Sequence, residues 1–118
     1  MNEATIQNSI RIALSKYGIV FRTNSGEFWQ GKSVFSKEFN QRVLINLRHV
    51  DGLPKGFADL TYFGFDGRPA FIEVKQPGET PKPEQIHFAE LMQSHGYHAG
   101  TAWSVEDALK LIGVNRDG

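Results

Sequence analysis

Cysteine is absent from this 118-residue chain, which excludes disulfides and thiolate-bound metals from its fold and function. No apolar run approaches the ~20 residues that a membrane-spanning helix needs. The N-terminal residues also lack the basic flank and apolar stretch of a secretory signal. The length fits a single domain over residues 1–118. Together these features predict a cytoplasmic protein with no membrane partner.

Net charge is absent as well, because 13 Lys and Arg balance 13 Asp and Glu. Residues 1–56 nevertheless contain eight Lys and Arg against four Asp and Glu, whereas residues 57–118 contain five against nine. Chance can produce such an asymmetry. It also suits a protein that binds phosphates with one part and a cation with another.

Hydrophobic periodicity and turn residues predict a mixed α/β domain with one sheet flanked by helices. The predicted helices are 3–17, 84–95 and 105–112, and the predicted strands are 19–21, 41–48, 57–63, 69–75 and 97–103. The strand 41–48 alternates as a half-buried strand does. Residues 23–39 have no clear period and are predicted as a long loop that can include a short strand near Ser33–Phe35.

The most informative segment is the end of the strand 69–75. Side chains alternate along a strand, so one face carries Ala70, Ile72 and Val74, and the other carries Phe71, Glu73 and Lys75. The first set is typical of a core. Charges on an interior strand are costly unless they are paired or bind a ligand. An edge strand with a solvated Glu–Lys face is the alternative that this segment alone leaves open.

Asp59 begins the preceding strand, although aspartate is a poor strand former. A two-residue turn at Asp66-Gly67 would pair Asp59 with Val74, on the core face. A three-residue turn that also includes Phe65 would pair Asp59 with Glu73 instead. Two carboxylates at that spacing repel each other unless a divalent cation lies between them. The sequence is compatible with both turns.

With a cation present, Asp59 and Glu73 would supply oxygen ligands, and the Val74 carbonyl could add another. Mg²⁺ prefers such ligands, and Mn²⁺ is the expected substitute. A water made more acidic by the ion would be the nucleophile. Lys75 would orient or deprotonate that water, or offset charge in the transition state. Gln85, at the start of the second helix, would hold Lys75 or a phosphate, or would simply be exposed.

These residues occur in an order that resembles the PD-(D/E)XK nuclease superfamily: Gly56-x-x-Asp59, Glu73-Val74-Lys75 and Gln85-x-x-Phe88. Within it, the chain resembles the small VRR-NUC (virus-type replication-repair nuclease) domains. The likeness covers most of the chain, since it extends to Glu3-x-x-Ile6-Gln7, Gly96-Tyr97 and Ser104-Val105-Glu106-Asp107. One departure is Ala58, which replaces the proline of the PD pair.

The resemblance implies a restriction-endonuclease-like core, with a central mixed sheet flanked by helices in the order α-β-β-β-α-β-α. It implies that Asp59, Glu73 and Lys75 are catalytic, that Gln85 supports them, and that Glu3 is a further acidic metal ligand. A favourable first-turn position on the helix dipole explains Glu3 equally well. The implied function is Mg²⁺-dependent cleavage of DNA, selective for four-way junctions or other branched structures, by a bacterial or phage homodimer. A non-catalytic DNA-binding or phage accessory module on the same fold is the alternative.

Further residues are candidates for contacts outside the catalytic group. Arg42, Arg48 and Lys55 are predicted to bind phosphates, because they would lie near the metal end of the sheet. Phe28, Trp29 and Phe35, interleaved with Lys32 and Lys37, would stack on unpaired bases or form the dimer surface. The four histidines, His49, His87, His95 and His98, lack the spacing of a zinc site and are expected to be ordinary surface or packing residues.

Overall fold

The computed structural model describes residues 1–25, 28–64 and 66–114 of the chain. Within these residues it has three helices and six strands. In chain order they are α1 (Glu3–Leu14), β1 (Gly18–Arg22), β2 (Phe28–Ser36), β3 (Gln41–Val50), β4 (Leu60–Gly64), β5 (Pro69–Val74), α2 (Pro83–Ser94), β6 (His98–Ala102) and α3 (Val105–Leu111). No helix in the described part of the chain is long and apolar enough to cross a membrane.

Four of the strands form the central sheet, in the order β1-β4-β5-β6. The pairs β1–β4 and β4–β5 are antiparallel, whereas β5 and β6 are parallel. Parallel neighbours need a crossover connection, and α2 provides it. If β2 and β3 are set aside, the elements follow the predicted order α-β-β-β-α-β-α. The expected central mixed sheet flanked by helices is therefore confirmed.

One face of this sheet packs against α1 and α3 to form the core. Ala70, Ile72 and Val74 are fully buried there, as their alternation along β5 predicted, and they contact a cluster that includes Ile10 and Leu14 of α1. Helix α1 begins as expected, since the Asn2 side chain accepts a hydrogen bond from the Thr5 amide at 2.8 Å. It ends at Leu14, three residues before the predicted end, and Ser15 to Tyr17 form a turn.

The opposite face of the sheet is only partly covered. Helix α2 packs over β5 and β6, where the Phe57 and Phe88 rings lie 4.6 Å apart and Phe71 packs edge-on against both. The half of this face formed by β1 and β4 has no described element over it. Three large apolar side chains are exposed there: Ile19, Phe21 and Phe63.

Two predictions for residues 23–48 are wrong. The segment predicted as a loop, with at most a short strand near Ser33–Phe35, forms the nine-residue strand β2, which includes those three residues, and β3 does not join the central sheet. Instead, β2 and β3 pair with each other as a separate antiparallel hairpin, so the chain has two sheets. Strand β3 is exposed along most of its length, so it is not half-buried. Because neither face of the hairpin is covered, β2 never acquired the alternation that reveals a strand.

Candidate active site

The register of β4 and β5 brings the two predicted carboxylates together. Phe63 pairs with Pro69 and Leu60 with Ile72, so the next step along the ladder places Asp59 opposite Glu73. This register corresponds to the three-residue connection and excludes the alternative that paired Asp59 with Val74. Gly67 has the positive φ of 75° that the turn requires, and the Asp66 side chain accepts a hydrogen bond from the Arg68 amide at 2.9 Å. Phe65, the first residue of that turn, lies outside the described residues.

Asp59 is held by hydrogen bonds to both carboxylate oxygens. Its Oδ2 accepts from the backbone amide of Val74 at 2.8 Å, and its Oδ1 accepts from Asn24 Nδ2 at 3.1 Å. The Asp59 carbonyl accepts from the Thr23 amide at 2.8 Å. These contacts fix the carboxylate between the end of β1 and the end of β5. The amide of Val74 thus positions Asp59, while its carbonyl as a metal ligand stays a prediction.

Glu73 lies on the central strand β5 and Lys75 follows its last residue; both are buried, with exposed fractions of only 5% and 7%. The alternative of a solvated face on an edge strand is therefore wrong. Glu73 Oε1 lies 3.9 Å from Lys75 Nζ, and it also accepts a hydrogen bond from Gln85 Nε2 at 2.8 Å. An ammonium and an amide donor thus converge on one oxygen of Glu73.

The other oxygen, Glu73 Oε2, is buried and has no hydrogen-bond partner among the described residues. The pKa of Glu73 is raised to about 9; burial is the largest cause, and the neighbouring Asp59 contributes by charge repulsion and by hydrogen bonding to the protonated form. Lys75 opposes this rise, and Glu3 adds to it. A buried carboxylate with an unsatisfied oxygen beside a second carboxylate is strongly destabilised unless a proton or a cation neutralises it.

This donor set fits a hard divalent cation. Asp59 and Glu73 supply carboxylate oxygens of the kind that Mg²⁺ prefers, and the free Glu73 Oε2 is available for such a contact. Across residues 1–25, 28–64 and 66–114, no three His, Asp or Glu side chains cluster closely enough to enclose a metal ion. A cation would therefore bind first to Asp59 and Glu73, and backbone, water, substrate or further carboxylate oxygens would complete its coordination.

Glu3, at the start of α1, is electrostatically coupled to this group. Burial raises the pKa of Glu3, Lys75 lowers it, and Asp59 raises it again. Such mutual effects require Glu3 to approach the same end of the sheet. Its role as a metal ligand stays a prediction.

Gln85 is fixed by the start of α2. Pro83 is the first helical residue, and Gln85 Oε1 accepts a hydrogen bond from the backbone amide of Lys82 at 2.8 Å, as in a capping box. This bond orients the amide group so that its Nε2 points at Glu73. Gln85 therefore contacts Glu73, whereas the sequence suggested Lys75 or a phosphate.

The three predicted phosphate contacts do not lie together. Arg42 and Arg48 are on β3 and therefore in the hairpin, not on the central sheet where the sequence analysis placed them. Arg42 Nε donates to Ser33 Oγ at 2.9 Å, and Arg48 donates to Gln30. Lys55 is in the loop before β4, where its Nζ lies 3.9 Å from Glu84 Oε1 beside the start of α2.

The histidines are dispersed. His49 stacks edge-on against Trp29 in the hairpin, and His98 Nε2 lies 3.0 Å from Asp66 Oδ2 beside the β4–β5 turn. His87 and His95 are exposed residues of α2 and its C-cap.

Two polar residues of the site escaped the sequence analysis. Thr23 and Asn24 follow β1 directly and reach the carbonyl and carboxylate of Asp59. The Thr23 hydroxyl also lies within hydrogen-bonding distance of the Ala58 carbonyl, at 3.0 Å, and of the Thr61 hydroxyl, at 2.9 Å. Their position next to a strand end was the available signal, but the antiparallel pairing of β1 with β4 was needed to bring them to Asp59.

The fold, with this group of side chains at one end of its sheet, is that of a restriction-endonuclease-like domain. Comparison with known proteins agrees. The model of the VRR-NUC domain family matches residues 1–106, and this chain belongs to that family. A solved structure described as a VRR_NUC domain is similar in fold, with a TM-score of 0.54 and 20% identity over 93% of this chain and 92% of the other. Comparison with curated proteins gave no match.

Proposed function

We propose that this protein is a Mg²⁺-dependent endonuclease that hydrolyses phosphodiester bonds of DNA and prefers branched structures such as four-way junctions. One observation carries the proposal: two carboxylates from neighbouring strands meet beside a buried ammonium at one end of the sheet. Burying several charged groups together lowers the stability of the fold, and such clusters are found mainly at functional sites. Membership of a nuclease family supports the same conclusion.

Asp59 and Glu73 would hold the cation. When bound, Mg²⁺ would neutralise phosphate charge and make a water molecule acidic enough to attack at neutral pH. The hydrogen bonds from Val74 and Asn24 hold Asp59 in place before substrate arrives. Gln85 does the same for Glu73, so little reorganisation is needed at the moment of reaction.

Lys75 would act on the substrate side. The backbone amide of Lys75 donates a hydrogen bond to the Ala102 carbonyl at 3.1 Å, which fixes the backbone just after β5. This holds the Lys75 Nζ near Glu73. From there the ammonium would orient the attacking water and offset the negative charge that grows on the phosphoryl oxygens. In the net reaction, the water oxygen bonds to phosphorus, the bond from phosphorus to the deoxyribose oxygen breaks, and a proton lost by the water ends on the departing oxygen.

The proposed enzyme works as a homodimer. The uncovered half of the central sheet supports this, because Ile19, Phe21 and Phe63 expose between 48% and 61% of their surface on one face of β1 and β4. Exposed apolar side chains grouped on a sheet commonly mark a protein interface. Two copies would present two active sites, which suits paired cuts in the opposing strands of a branch.

The test is direct. Purified protein is incubated with supercoiled plasmid and with labelled duplex, flap, splayed and four-way DNA, in Mg²⁺, in Mn²⁺ and in EDTA. We expect cleavage in both metals, none in EDTA, and the fastest cutting of a branched substrate. The variant Asp59→Asn serves as the control for contaminating nucleases. Binding of DNA without cleavage in either metal would support the non-catalytic alternative and overturn the enzymatic proposal.

A further inference from the structure

The hairpin of β2 and β3 extends away from the catalytic domain. Its strands of nine and ten residues correspond to a length of about 30 Å. The molecule is accordingly 59 Å long and 29 Å across in the other two directions. A two-stranded hairpin is marginally stable alone in water. An arm of this kind is therefore expected to complete its packing on a partner.

The hairpin concentrates positive charge in a chain whose net charge is zero. Residues 28–50 contain Lys32, Lys37, Arg42 and Arg48 against a single acid, Glu38. The two arginines donate to the neutral side chains of Ser33 and Gln30, which leave their charges uncompensated. All four cations are exposed. Such an excess of positive charge on a projecting element favours a polyanion over an apolar partner.

Exposed aromatic rings lie among these cations. Phe28 and Trp29 are 46% and 51% exposed near the base of the hairpin, and Phe35 and Phe39 are 56% and 63% exposed near its tip. Rings between cations are the arrangement by which proteins bind unpaired nucleotides, since every base offers a face for stacking.

The hairpin is also irregular in a way that changes its shape. The register shifts between Gln30 and Lys32, where Gly31 lies opposite an extra residue of β3. Asn46 there has a φ of 54°. A bulge of this kind bends a ribbon and increases its twist, and the major groove of DNA is wide enough for a two-stranded ribbon.

We propose that the β2–β3 hairpin is a DNA-binding arm, which contacts phosphates through Lys32, Lys37, Arg42 and Arg48 and stacks Phe35 and Phe39 on unpaired bases at a branch. This inference rests on the proposed function and assigns its preference for branched DNA to a surface outside the active site. A second copy of the chain is a less suitable occupant, because two such arms would repel each other. The uncovered half of the central sheet lacks that charge and remains the expected dimer surface.

The charge part of the proposal is tested with Lys32→Gln/Lys37→Gln. Both lysines are exposed and form no ion pair in the described structure, so the variant should fold normally. DNA binding is measured in EDTA, where cleavage cannot occur, over a range of salt concentrations. Losing two phosphate contacts should lower the salt slope of log K by about 1.8 and weaken binding about 30-fold at 0.15 M salt.

The matched control is Lys16→Gln/Lys110→Gln, which removes two exposed lysines, one in the turn after α1 and one in α3. We expect both its salt slope and its affinity to equal those of the wild type. An equal loss in the two double variants would show a general charge effect and would overturn the arm. So would an unchanged slope in Lys32→Gln/Lys37→Gln.

The stacking part is tested with Phe35→Ser/Phe39→Ser, compared with Ile12→Ser, an exposed apolar residue of α1. The first variant should lose most of the preference for splayed or four-way DNA over duplex, by about tenfold, while duplex binding changes little. If it instead dissociates a dimer, as seen by sedimentation, and keeps its DNA preference, the arm is a self-association element.

The arm and the enzymatic proposal fail differently. If the wild type binds DNA through the arm in EDTA but does not cut it in Mg²⁺ or Mn²⁺, the proposal of a DNA-binding arm stands and the enzymatic proposal is wrong. If the wild type cuts DNA but both hairpin variants bind DNA like the wild type, the enzymatic proposal stands and the proposal of a DNA-binding arm is wrong.

Discussion

Gln85 donates a hydrogen bond to Glu73 Oε1 at 2.8 Å while its own carbonyl oxygen accepts from the Lys82 amide. One side chain therefore joins the start of α2 to the buried acid of β5. Because both ends of the amide are engaged, its orientation is fixed, and so is that of the carboxylate. This relationship makes Gln85 a positioning residue for a proposed metal ligand.

Replacing Gln85 with leucine should weaken metal binding more than folding. Glu73 would lose its best donor, and losing a group that orients a metal ligand commonly costs 10–100-fold in metal affinity or activity. We expect the Mg²⁺ concentration for half-maximal cleavage to rise about tenfold or more, with substantial rescue at high Mg²⁺. A drop in rate that no Mg²⁺ concentration rescues would contradict a positioning role. Gln93→Leu, elsewhere on α2, controls for loss of a helical glutamine.

Asp59→Ala and Lys75→Ala should each abolish cleavage with the fold intact. Either change removes a group that is proposed to contact the substrate or the cation directly, and single losses of this kind cost about 100- to 1,000-fold. Cleavage of the preferred branched substrate is compared with circular dichroism of each variant. Asp51→Ala and Lys16→Ala, both at exposed positions, should cut normally. Wild-type rates in either active-site variant would remove the catalytic assignment.

The pKa of Glu73 predicts how stability depends on pH without metal. The folded protein holds a proton on Glu73 up to about pH 9, whereas the unfolded chain releases it near the ordinary value of 4.5. The contribution of protonated Glu73 to the stability of the fold is therefore fully present below pH 4.5 and is lost as the pH rises toward 9. The free energy of unfolding in EDTA should fall by at most about 1.4 kcal/mol per pH unit in that window.

Glu73→Gln should flatten this dependence and be more stable than the wild type at pH 8 in EDTA. Mg²⁺ should reverse the order, because only the ionised wild-type carboxylate can bind it. Thermal unfolding at pH 6 and pH 8, with and without Mg²⁺, measures all four cases. Parallel pH profiles for the two proteins would contradict the raised pKa.

Gly56 lies in the loop that leads to Asp59 and packs closely against the first turn of α2. Its φ is 91°, and a Cβ there would lie 2.5 Å from the Glu84 carbonyl oxygen. Gly67 also has a positive φ, yet a Cβ there would meet nothing within 4 Å. Gly67→Ala should therefore cost about 1 kcal/mol from backbone strain alone, and Gly56→Ala distinctly more, with reduced cleavage. Equal losses in thermal unfolding would show that the contact with α2 is unimportant.

Phe21→Asp tests the proposed dimer. Phe21 packs edge-on against Phe63, with ring centroids 6.2 Å apart, on the uncovered half of the sheet. A buried charge at a self-complementary interface is repeated in both subunits, so sedimentation should show a monomer. Ile12→Asp, on the outer side of α1, should leave the mass unchanged. A wild-type protein that sediments as a monomer at micromolar concentration would end this part of the proposal.

The sequence predicted which face of β5 carries Glu73, because burial imposes a two-residue period on the side chains of a strand. Ala70, Ile72 and Val74 had to alternate with Glu73 and Lys75, since β5 is covered on both sides. The register of Asp59 was left open, because a turn containing Phe65, Asp66 and Gly67 admits two lengths. Only the paired strands distinguished them.

The hairpin was missed for the opposite reason. β2 mixes Phe28, Lys32 and Phe35, and neither of its faces is covered, so its sequence shows no alternation and only the short stretch near Ser33–Phe35 indicated a strand. Its charge and aromatic content were visible, but their placement on one projecting element was not. Asn24 was likewise invisible as a site residue, because its contact with Asp59 spans 35 positions.

The two ends of the β2–β3 segment join the central sheet at adjacent positions. Arg22 and Leu60 are paired neighbours in the central sheet, and the Thr23 amide bonds to the Asp59 carbonyl at 2.8 Å. The segment between β1 and β4, which contains the hairpin, is therefore attached at two adjacent positions, and the pairing of β1 with β4 continues without it. A segment attached in this way can become longer or shorter, or be replaced by recombination, without altering the central sheet. In this way the proposed preference for one DNA shape can change during evolution while the proposed hydrolytic site stays the same.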